Sequence, residues 1–188
     1  KIEKFPSELF TAGSPITSID LSGNQMRTIP KGSIKGKNAY LLQVIDLRFN
    51  KLTSLSDDFR STTLPYITNM DVSYNCFSEV PTQPLNSANL RAFAINHQRD
   101  ANDNRCLRTW PTGITSCPSL IQFQIGSNDI RKVEEKLTYH LYIVNIKDNP
   151  NISIDVTSVC PYIKAGAYRL FYDKTQDIRG CDALDLEN

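Results

Sequence analysis

Residues Leu42 to Leu55 read LQVIDLRFNKLTSL, and the rest of the chain repeats this unit. Its apolar residues occupy the first, fourth, sixth and eleventh places, and Asn50 occupies the ninth. The alternation around Ile45 and Leu47 predicts a short strand that turns these two side chains to one face. The chain must turn after the strand, and a buried asparagine can satisfy backbone groups of that turn with both a donor and an acceptor. One such unit cannot bury its apolar face alone, whereas stacked copies can.

Six copies of this unit follow one another along the chain. Taking the first apolar place of each, they begin at Ile16, Leu42, Ile67, Leu90, Leu120 and Leu141. The spacings are 26, 25, 23, 30 and 21 residues. The fourth copy departs from the pattern after Ile95, and the sixth has Pro150 and Asn151 where the eleventh-place apolar residue should follow. Six near-matches at this spacing favour a stacked array over an ordinary globular fold with coincidental alternation.

The pattern L-x-x-L-x-L-x-x-N-x-L resembles that of the leucine-rich-repeat family. The repeat length and an inward aromatic residue such as Phe59 resemble the typical extracellular class, which bacterial cell-surface and secreted proteins also use. The resemblance covers about residues 2–155. It implies an α/β solenoid, a right-handed superhelix with a parallel sheet on its concave side and an irregular or short-helical convex side. It also implies binding to protein or glycan, with no catalytic residue, metal or cofactor to carry over.

The same pattern predicts how the chain is divided. We expect leucine-rich repeats over residues 1–155, a partial repeat followed by the six, and a C-terminal cap over residues 156–188. Ile2 and Phe5 align with Met26 and Ile29, so the chain opens partway through a repeat rather than on a signal peptide. We therefore expect further sequence upstream. Within the cap, AYRLFY at residues 167–172 predicts one more strand.

The convex side carries its own sequence signals. Proline follows an apolar residue where the chain rounds onto that side, in Phe5-Pro6, Ile29-Pro30, Val80-Pro81 and Trp110-Pro111. Because proline cannot donate to a strand ladder, this side should be irregular. Ser56 precedes Asp57, Asp58 and Phe59, and this order predicts a helical turn capped by Ser56.

Composition limits the classes of partner and chemistry. The 188 residues are 40% hydrophobic, which is enough for one continuous core, and the net charge of +1 gives no reason to expect nucleic acid or an anionic membrane. No apolar run is long enough to span a bilayer. The two histidines, His97 and His140, lie beside no signature of a nucleophile, so an enzyme is disfavoured.

The five cysteines leave two interpretations open. A bridge between Cys160 and Cys181 would staple the cap, and Cys76 and Cys106 occupy equivalent tenth places of adjacent repeats, within disulfide reach. Cys117 then reads as a free core thiol. Alternatively, all five are reduced core cysteines.

Two columns of residues mark the predicted concave face. The fifth places read Asp20, Asp46, Asp71, Ala94, Gln124 and Asn145, and the eighth places read Gly23, Phe49, Tyr74, His97, Ser127 and Asp148. Carboxylates on adjacent strands repel each other, and Arg48 alone is well placed to compensate them; the alternative is a merely solvated acidic ladder. The three aromatic rings predict a recognition patch, unless they simply pack on each other along the sheet edge.

The long fourth repeat contains seven extra residues near His97 to Asn104. Asp100, Asn102 and Asn104 mimic the first three ligand places of a calcium loop, but the required glycine and the closing glutamate are missing. We therefore expect no metal site. The segment from Arg99 to Asn104, called the insertion loop below, is either a partner-contacting loop or a tolerated surface insertion.

We expect a non-enzymatic module, of an extracellular or cell-surface protein, that binds a protein or glycan ligand through the concave face and the insertion loop. A structural spacer of a larger surface protein is the alternative. The expected partner-binding residues are Arg48, Phe49, Asp71, Tyr74, His97, Arg99, Asp100 and Asp103.

Overall fold

Short strands form at the alternating segments of the repeats and of the cap, and at three further places. The structure, a computed structural model, describes residues 1–11 and 15–185. The strands are β1 (Ser18–Asp20), β2 (Val44–Asp46), β3 (Asn69–Asp71), β4 (Ala92–Ala94), β5 (Gln122–Gln124), β6 (Lys132–Val133), β7 (Ile143–Asn145), β8 (Ser153–Asp155), β9 (Arg169–Phe171) and β10 (Asp177–Arg179). Seven of them form one sheet in the order β1-β2-β3-β4-β5-β7-β9, and all of its pairs are parallel. The predicted solenoid with a parallel sheet is confirmed.

The core lies behind this sheet. The central residue of each strand turns inward, and Ile45, Phe93 and Phe123 are buried. Sixth-place residues such as Leu47 and Ile125 are buried in the same way. The strands are in strict register, so that each repeat adds one layer that is shared with its two neighbours.

Ninth-place amides connect one repeat to the next. The Asn50 side chain donates to the carbonyls of Leu21 and Leu47, and its Oδ1 accepts from Met26 N at 3.1 Å. Equivalent bonds are made by Asn75, Asn128 and Asn149. The predicted role of the buried asparagine is therefore confirmed.

Two glutamines extend this amide ladder where the repeat pattern breaks down. Gln98 holds the ninth place of the fourth repeat, and its Oε1 accepts from Phe77 N at 2.9 Å. Gln176 donates to the carbonyls of Ile146 and Asn149. The fourth repeat therefore keeps the ninth-place bonds, although it lacks the asparagine.

Short helices and 3-10 turns lie between and beside the strands along the described part of the chain. The two α-helices are α1 (Gly36–Tyr40) and α2 (Cys160–Lys164), and the 3-10 turns are Ser7–Phe10, Asp57–Phe59, Pro84–Asn86, Ile114–Ser116 and Asp182–Asp185. The predicted turn after Ser56 exists and buries Phe59. The predicted capping of this turn by the Ser56 side chain is wrong. The Ser56 hydroxyl is buried and makes no hydrogen bond to any of the described residues.

The last repeats differ from the first by a second small sheet. β6, β8 and β10 pair in parallel in the order β10-β8-β6. Glu134 and Asp155 follow Val133 and Ile154, at the places where proline follows Val80 and Trp110 in earlier repeats. Without that proline, backbone donors are free to form a ladder.

The segment assigned to the cap continues the array. β9 is the predicted strand in AYRLFY, and it joins β7 as the last strand of the long sheet. The division at residues 155 and 156 stays a prediction. In the described part of the chain, no helix has both the length and the apolarity that crossing a bilayer requires.

Both candidate disulfides are present. Cys76 is bonded to Cys106 across adjacent repeats, and Cys160 is bonded to Cys181 beside α2. All five cysteines lie in the described residues, and Cys117 is a buried thiol whose pKa is raised by its burial.

Candidate functional site

Three aromatic rings form one stack at the edge of the sheet where the strands end. Phe49 and Tyr74 lie with ring centroids 4.2 Å apart, and Tyr74 and His97 lie 4.7 Å apart. These distances follow the separation of neighbouring strands. Phe49 is 50% exposed and Tyr74 is 42% exposed, although each ring packs on the next. The stack is thus both a packed unit and an open surface; Phe49, Tyr74 and His97 are called the aromatic stack below.

The backbone under the stack is in the left-handed region. Phe49 has φ of 54°, Tyr74 of 58° and His97 of 52°. This region is uncommon for residues other than glycine, although asparagine, aspartate and histidine are enriched in it, and a bulky residue such as phenylalanine or tyrosine is an outlier there. The same backbone recurs at Gly23, Ser127 and Asp148, so the repeat imposes it and the bulky residues accept the strain.

The fifth-place carboxylates of Asp20, Asp46 and Asp71, called the acidic column below, lie beside the aromatic stack. They also stabilise the backbone. Asp20, Asp46 and Asp71 each accept a hydrogen bond from the backbone N–H two residues further on, at 2.8 to 3.0 Å. Each carboxylate therefore fixes the chain as it leaves its strand.

Arg48 compensates the negative charge of Asp46 more fully than that of Asp71. Its guanidinium donates to both oxygens of Asp46, with the shortest bond at 2.6 Å. Its Nε lies 3.7 Å from Asp71 Oδ2, which is an ion pair without a hydrogen bond. Burial raises the pKa of Asp71 despite hydrogen bonds from Ser73 and the positive charge of Arg48.

The insertion loop is an ordered turn. Arg99 and Arg105 form an antiparallel bridge at its base, and Arg99 Nε lies 3.8 Å from Asp103 Oδ1. The Asp100 carboxylate accepts hydrogen bonds from the backbone of Asn102 and from the backbone and side chain of Asn104. The bonds from Asn104 are the main reason that the pKa of Asp100 lies below its usual value. The Asp100 carboxylate therefore holds the insertion loop together from within.

Charged groups hold the loop against the later repeats. Arg105 donates to the carboxylate of Asp148 at 2.6 Å and to the carbonyls of Asn128 and Asp148. Arg99 lies 4.0 Å from the same carboxylate. Partial burial, and secondarily Arg99, lowers the pKa of His97. At pH 7 the His97 ring is therefore mainly neutral, and it stacks on Tyr74 in this form.

The structure brings most of the expected binding residues together. Phe49, Tyr74 and His97 form the aromatic stack, and Arg48 joins Asp71 beside it. Arg99 and Asp103 act electrostatically on His97. Asp100 is different, because its carboxylate is used within the insertion loop.

Sequence reasoning missed a depression of about 340 Å³ on the sheet face next to the acidic column. Its middle strand is β4, which presents Ala92 and Ala94 between Asp71 on one side and Gln122 and Gln124 on the other. The signal was present in the sequence, since small residues at the third and fifth places of one repeat leave space between longer neighbours.

One cluster has the residue types of a metal site. The sulfur atoms of Cys160 and Cys181 and a carboxylate oxygen of Asp182 lie within 4.8 Å of one another. The two sulfurs are joined in a disulfide, so neither is available as a thiolate ligand.

The chain is similar to two bacterial proteins over its whole length. A leucine-rich repeat protein from Bacteroides thetaiotaomicron VPI-5482 is 72% identical, and its structure matches with a TM-score of 0.97. A leucine-rich repeat protein from Bacteroides eggerthii DSM 20697 is 66% identical, with a TM-score of 0.96. The chain spans only 23% and 31% of these two chains.

A more distant likeness exists among curated proteins. Tsukushi from Mus musculus is 30% identical over 81 residues, which are 43% of this chain and 23% of Tsukushi. No protein-family model matches the chain.

None of these three relatives is named as an enzyme, and leucine-rich-repeat proteins generally mediate protein–protein interaction. The two disulfides are compatible with an extracellular location. The repeat pattern, the parallel solenoid and these likenesses together identify the chain as a leucine-rich-repeat protein.

Proposed function

We propose that the chain is a non-enzymatic module of a secreted or surface-displayed protein, and that it binds a protein partner through the aromatic stack. The observation that carries this proposal is the stack itself, three adjoining rings on left-handed backbone positions at the surface. A structural spacer has no use for bulky residues there, since glycine would fit the backbone without strain.

The physical properties of the stack suit protein recognition. Aromatic side chains supply large contact areas at small cost in side-chain entropy, and they dominate many binding interfaces. The rings already hold one another in place, so little further ordering is required when a partner covers them. Arg48, Asp71 and the insertion loop, with Arg99, Asp100 and Asp103, form the polar surroundings of this contact in our proposal.

The experiment compares aromatic variants against a panel of ligands. Purified extracellular proteins and an array of glycans are presented to the wild type, Phe49→Ala, Tyr74→Ala and the control Lys35→Ala, an exposed residue before α1. For a protein ligand of the wild type, each aromatic variant should weaken the Kd about 30-fold, equivalent to about 2 kcal/mol. Lys35→Ala should leave the Kd unchanged.

Two outcomes would contradict the proposal. One is unchanged binding by both aromatic variants, with circular dichroism showing an intact fold. The other is binding to glycans alone, which would assign the stack to carbohydrate instead.

A further inference from the structure

The depression on the sheet face is a second feature that a partner can fill. It has a floor of two alanine methyl groups, Ala92 and Ala94, on β4. Equivalent positions on the flanking strands hold Asn69 and Asp71 on β3 and Gln122 and Gln124 on β5. The depression exists because only one strand in this part of the sheet carries small side chains at both outward places.

The walls of the depression differ in charge. The side towards β1 carries the carboxylates of Asp46 and Asp71 against the single guanidinium of Arg48, and Asp20 follows on β1 beyond the depression. The side towards β5 carries neutral amides, and Gln124 accepts a hydrogen bond from the Asn96 side chain at 3.2 Å. The depression is therefore acidic on one wall and polar but uncharged on the other.

Of the two carboxylates that line the depression, Asp71 would be stabilised more by an added cation. Arg48 commits its hydrogen bonds to Asp46 and stays 3.7 Å from Asp71. Burial also raises the pKa of Asp71, which means that its charged form is poorly stabilised in the free protein. A positive group that enters the depression would supply the missing compensation.

We propose that the depression binds a lysine or arginine side chain of the protein partner, with its aliphatic stem on Ala92 and Ala94 and its charged end at Asp71. Lysine and arginine have this combination of an apolar stem and a cationic head. The inference rests on the proposed function and adds the chemical class of the partner residue.

The experiment uses N-acetyl-arginine amide as the probe, and its uncharged analogue N-acetyl-citrulline amide as the matched ligand. Amide and methyl NMR signals of Ala92 and Ala94 are followed during titration. The arginine probe should give saturable shifts at millimolar concentration, as expected for a single side chain, and citrulline should bind about tenfold more weakly. Equal shifts for both, or no saturation up to about 50 mM arginine probe, would overturn the proposal.

Two variants test the geometry without threatening the fold. Asp71→Asn retains the turn, because Asn145 accepts the same backbone bond from Lys147 at 3.1 Å, and it should abolish the preference for the charged probe. Ala94→Gln fills the depression with the residue that β5 already carries at Gln124, and it should abolish binding of both probes.

The control is Asp155→Asn. Asp155 accepts an equivalent bond from Thr157 N at 2.8 Å, but it lies on β8 in the other sheet, so both probes should bind as to the wild type. Normal probe binding by Asp71→Asn or Ala94→Gln would contradict the inference. If the arginine probe fails while Phe49→Ala still loses the protein partner, only this inference falls; the reverse pair of results removes the aromatic stack instead.

Discussion

The eighth and ninth places of the repeats are adjacent in sequence but follow opposite rules. The ninth places hold Asn24, Asn50, Asn75, Gln98, Asn128 and Asn149, all side-chain amides. The eighth places hold Gly23, Phe49, Tyr74, His97, Ser127 and Asp148, with almost no shared chemistry. All six eighth-place residues nevertheless have positive φ, between 52° and 69°.

This difference separates what the fold requires from what it permits. Ninth-place side chains satisfy buried backbone groups, so few residue types can serve. Eighth-place residues follow a backbone that their neighbours impose, and their side chains face solvent. Glycine is the favoured residue at such a φ, yet Phe49 and Tyr74 stand there. We attribute that choice to the surface they form.

The largest expected effect tests what stabilises the ninth-place ladder in the fourth repeat, where the insertion loop interrupts the pattern. Gln98 O accepts from Cys106 N, and Cys106 is bonded to Cys76. Replacing both cysteines with serine should lower the free energy of unfolding by about 3 to 4 kcal/mol, because the open loop regains entropy in the unfolded chain. Urea unfolding measures the change. An unaltered stability would show that the ladder alone holds the fourth repeat together.

The next effect concerns the ninth place directly. Asn75→Ala leaves the N–H of Leu52 without its acceptor and removes one of two donors from the carbonyls of Leu47, Val72 and Ser73. It should cost about 1 to 3 kcal/mol of unfolding free energy. Asn69→Ala, an exposed asparagine on β3 in the same repeat, is the control and should change stability by less than about 0.5 kcal/mol. Equal costs for the two variants would contradict a structural role that is specific to the ninth place.

A smaller effect concerns the relative stability of alanine and glycine variants, whose usual order should be reversed at Phe49. At Phe49 the glycine variant should be about 1 kcal/mol more stable than the alanine variant, because only glycine adopts this φ without strain. At Val44, an exposed strand position, alanine should be the more stable by about 0.5 to 1 kcal/mol. Urea unfolding of the four variants decides this. The same order at both positions would mean that no strain exists at Phe49.

The smallest effect is the pH dependence of the stack. The pKa of His97 is lowered in the folded protein, so between that value and about 6.5 the unfolded chain binds more protons. This residue should therefore make the protein less stable as the pH falls through about 6.5. The free energy of unfolding of His97→Gln should decline less over this range, with His140→Gln as control. A steeper decline in His97→Gln would reverse the assignment.

Much of the fold could be predicted, because strand alternation and buried asparagines are local patterns. Gln98 was missed, since one more methylene hides the equivalence to asparagine in sequence although its amide makes similar bonds. The second sheet was also missed. It depends on the absence of proline after Val133 and Ile154, which permits pairing without demanding it.

The candidate site was predictable only in part. Columns of equivalent positions brought Phe49, Tyr74 and His97 together correctly. Their positive φ was hidden, because neither phenylalanine nor tyrosine indicates it; Gly23 was the clearest hint. The depression depends on a difference in side-chain size between neighbouring strands. Only the strand register shows that Ala92 and Ala94 lie between longer side chains.

The second sheet has a mechanical consequence. β6, β8 and β10 join the last repeats by a second set of backbone hydrogen bonds. The first three repeats share the long sheet and the amide ladder, and the disulfide Cys76–Cys106 adds a covalent link between the third and the fourth. A chain pulled at its two ends should therefore unfold first among the repeats that contain β1 to β3, and the end with two sheets should remain folded to higher force. We therefore expect the solenoid to be compliant at its N-terminal end and stiff at its C-terminal end.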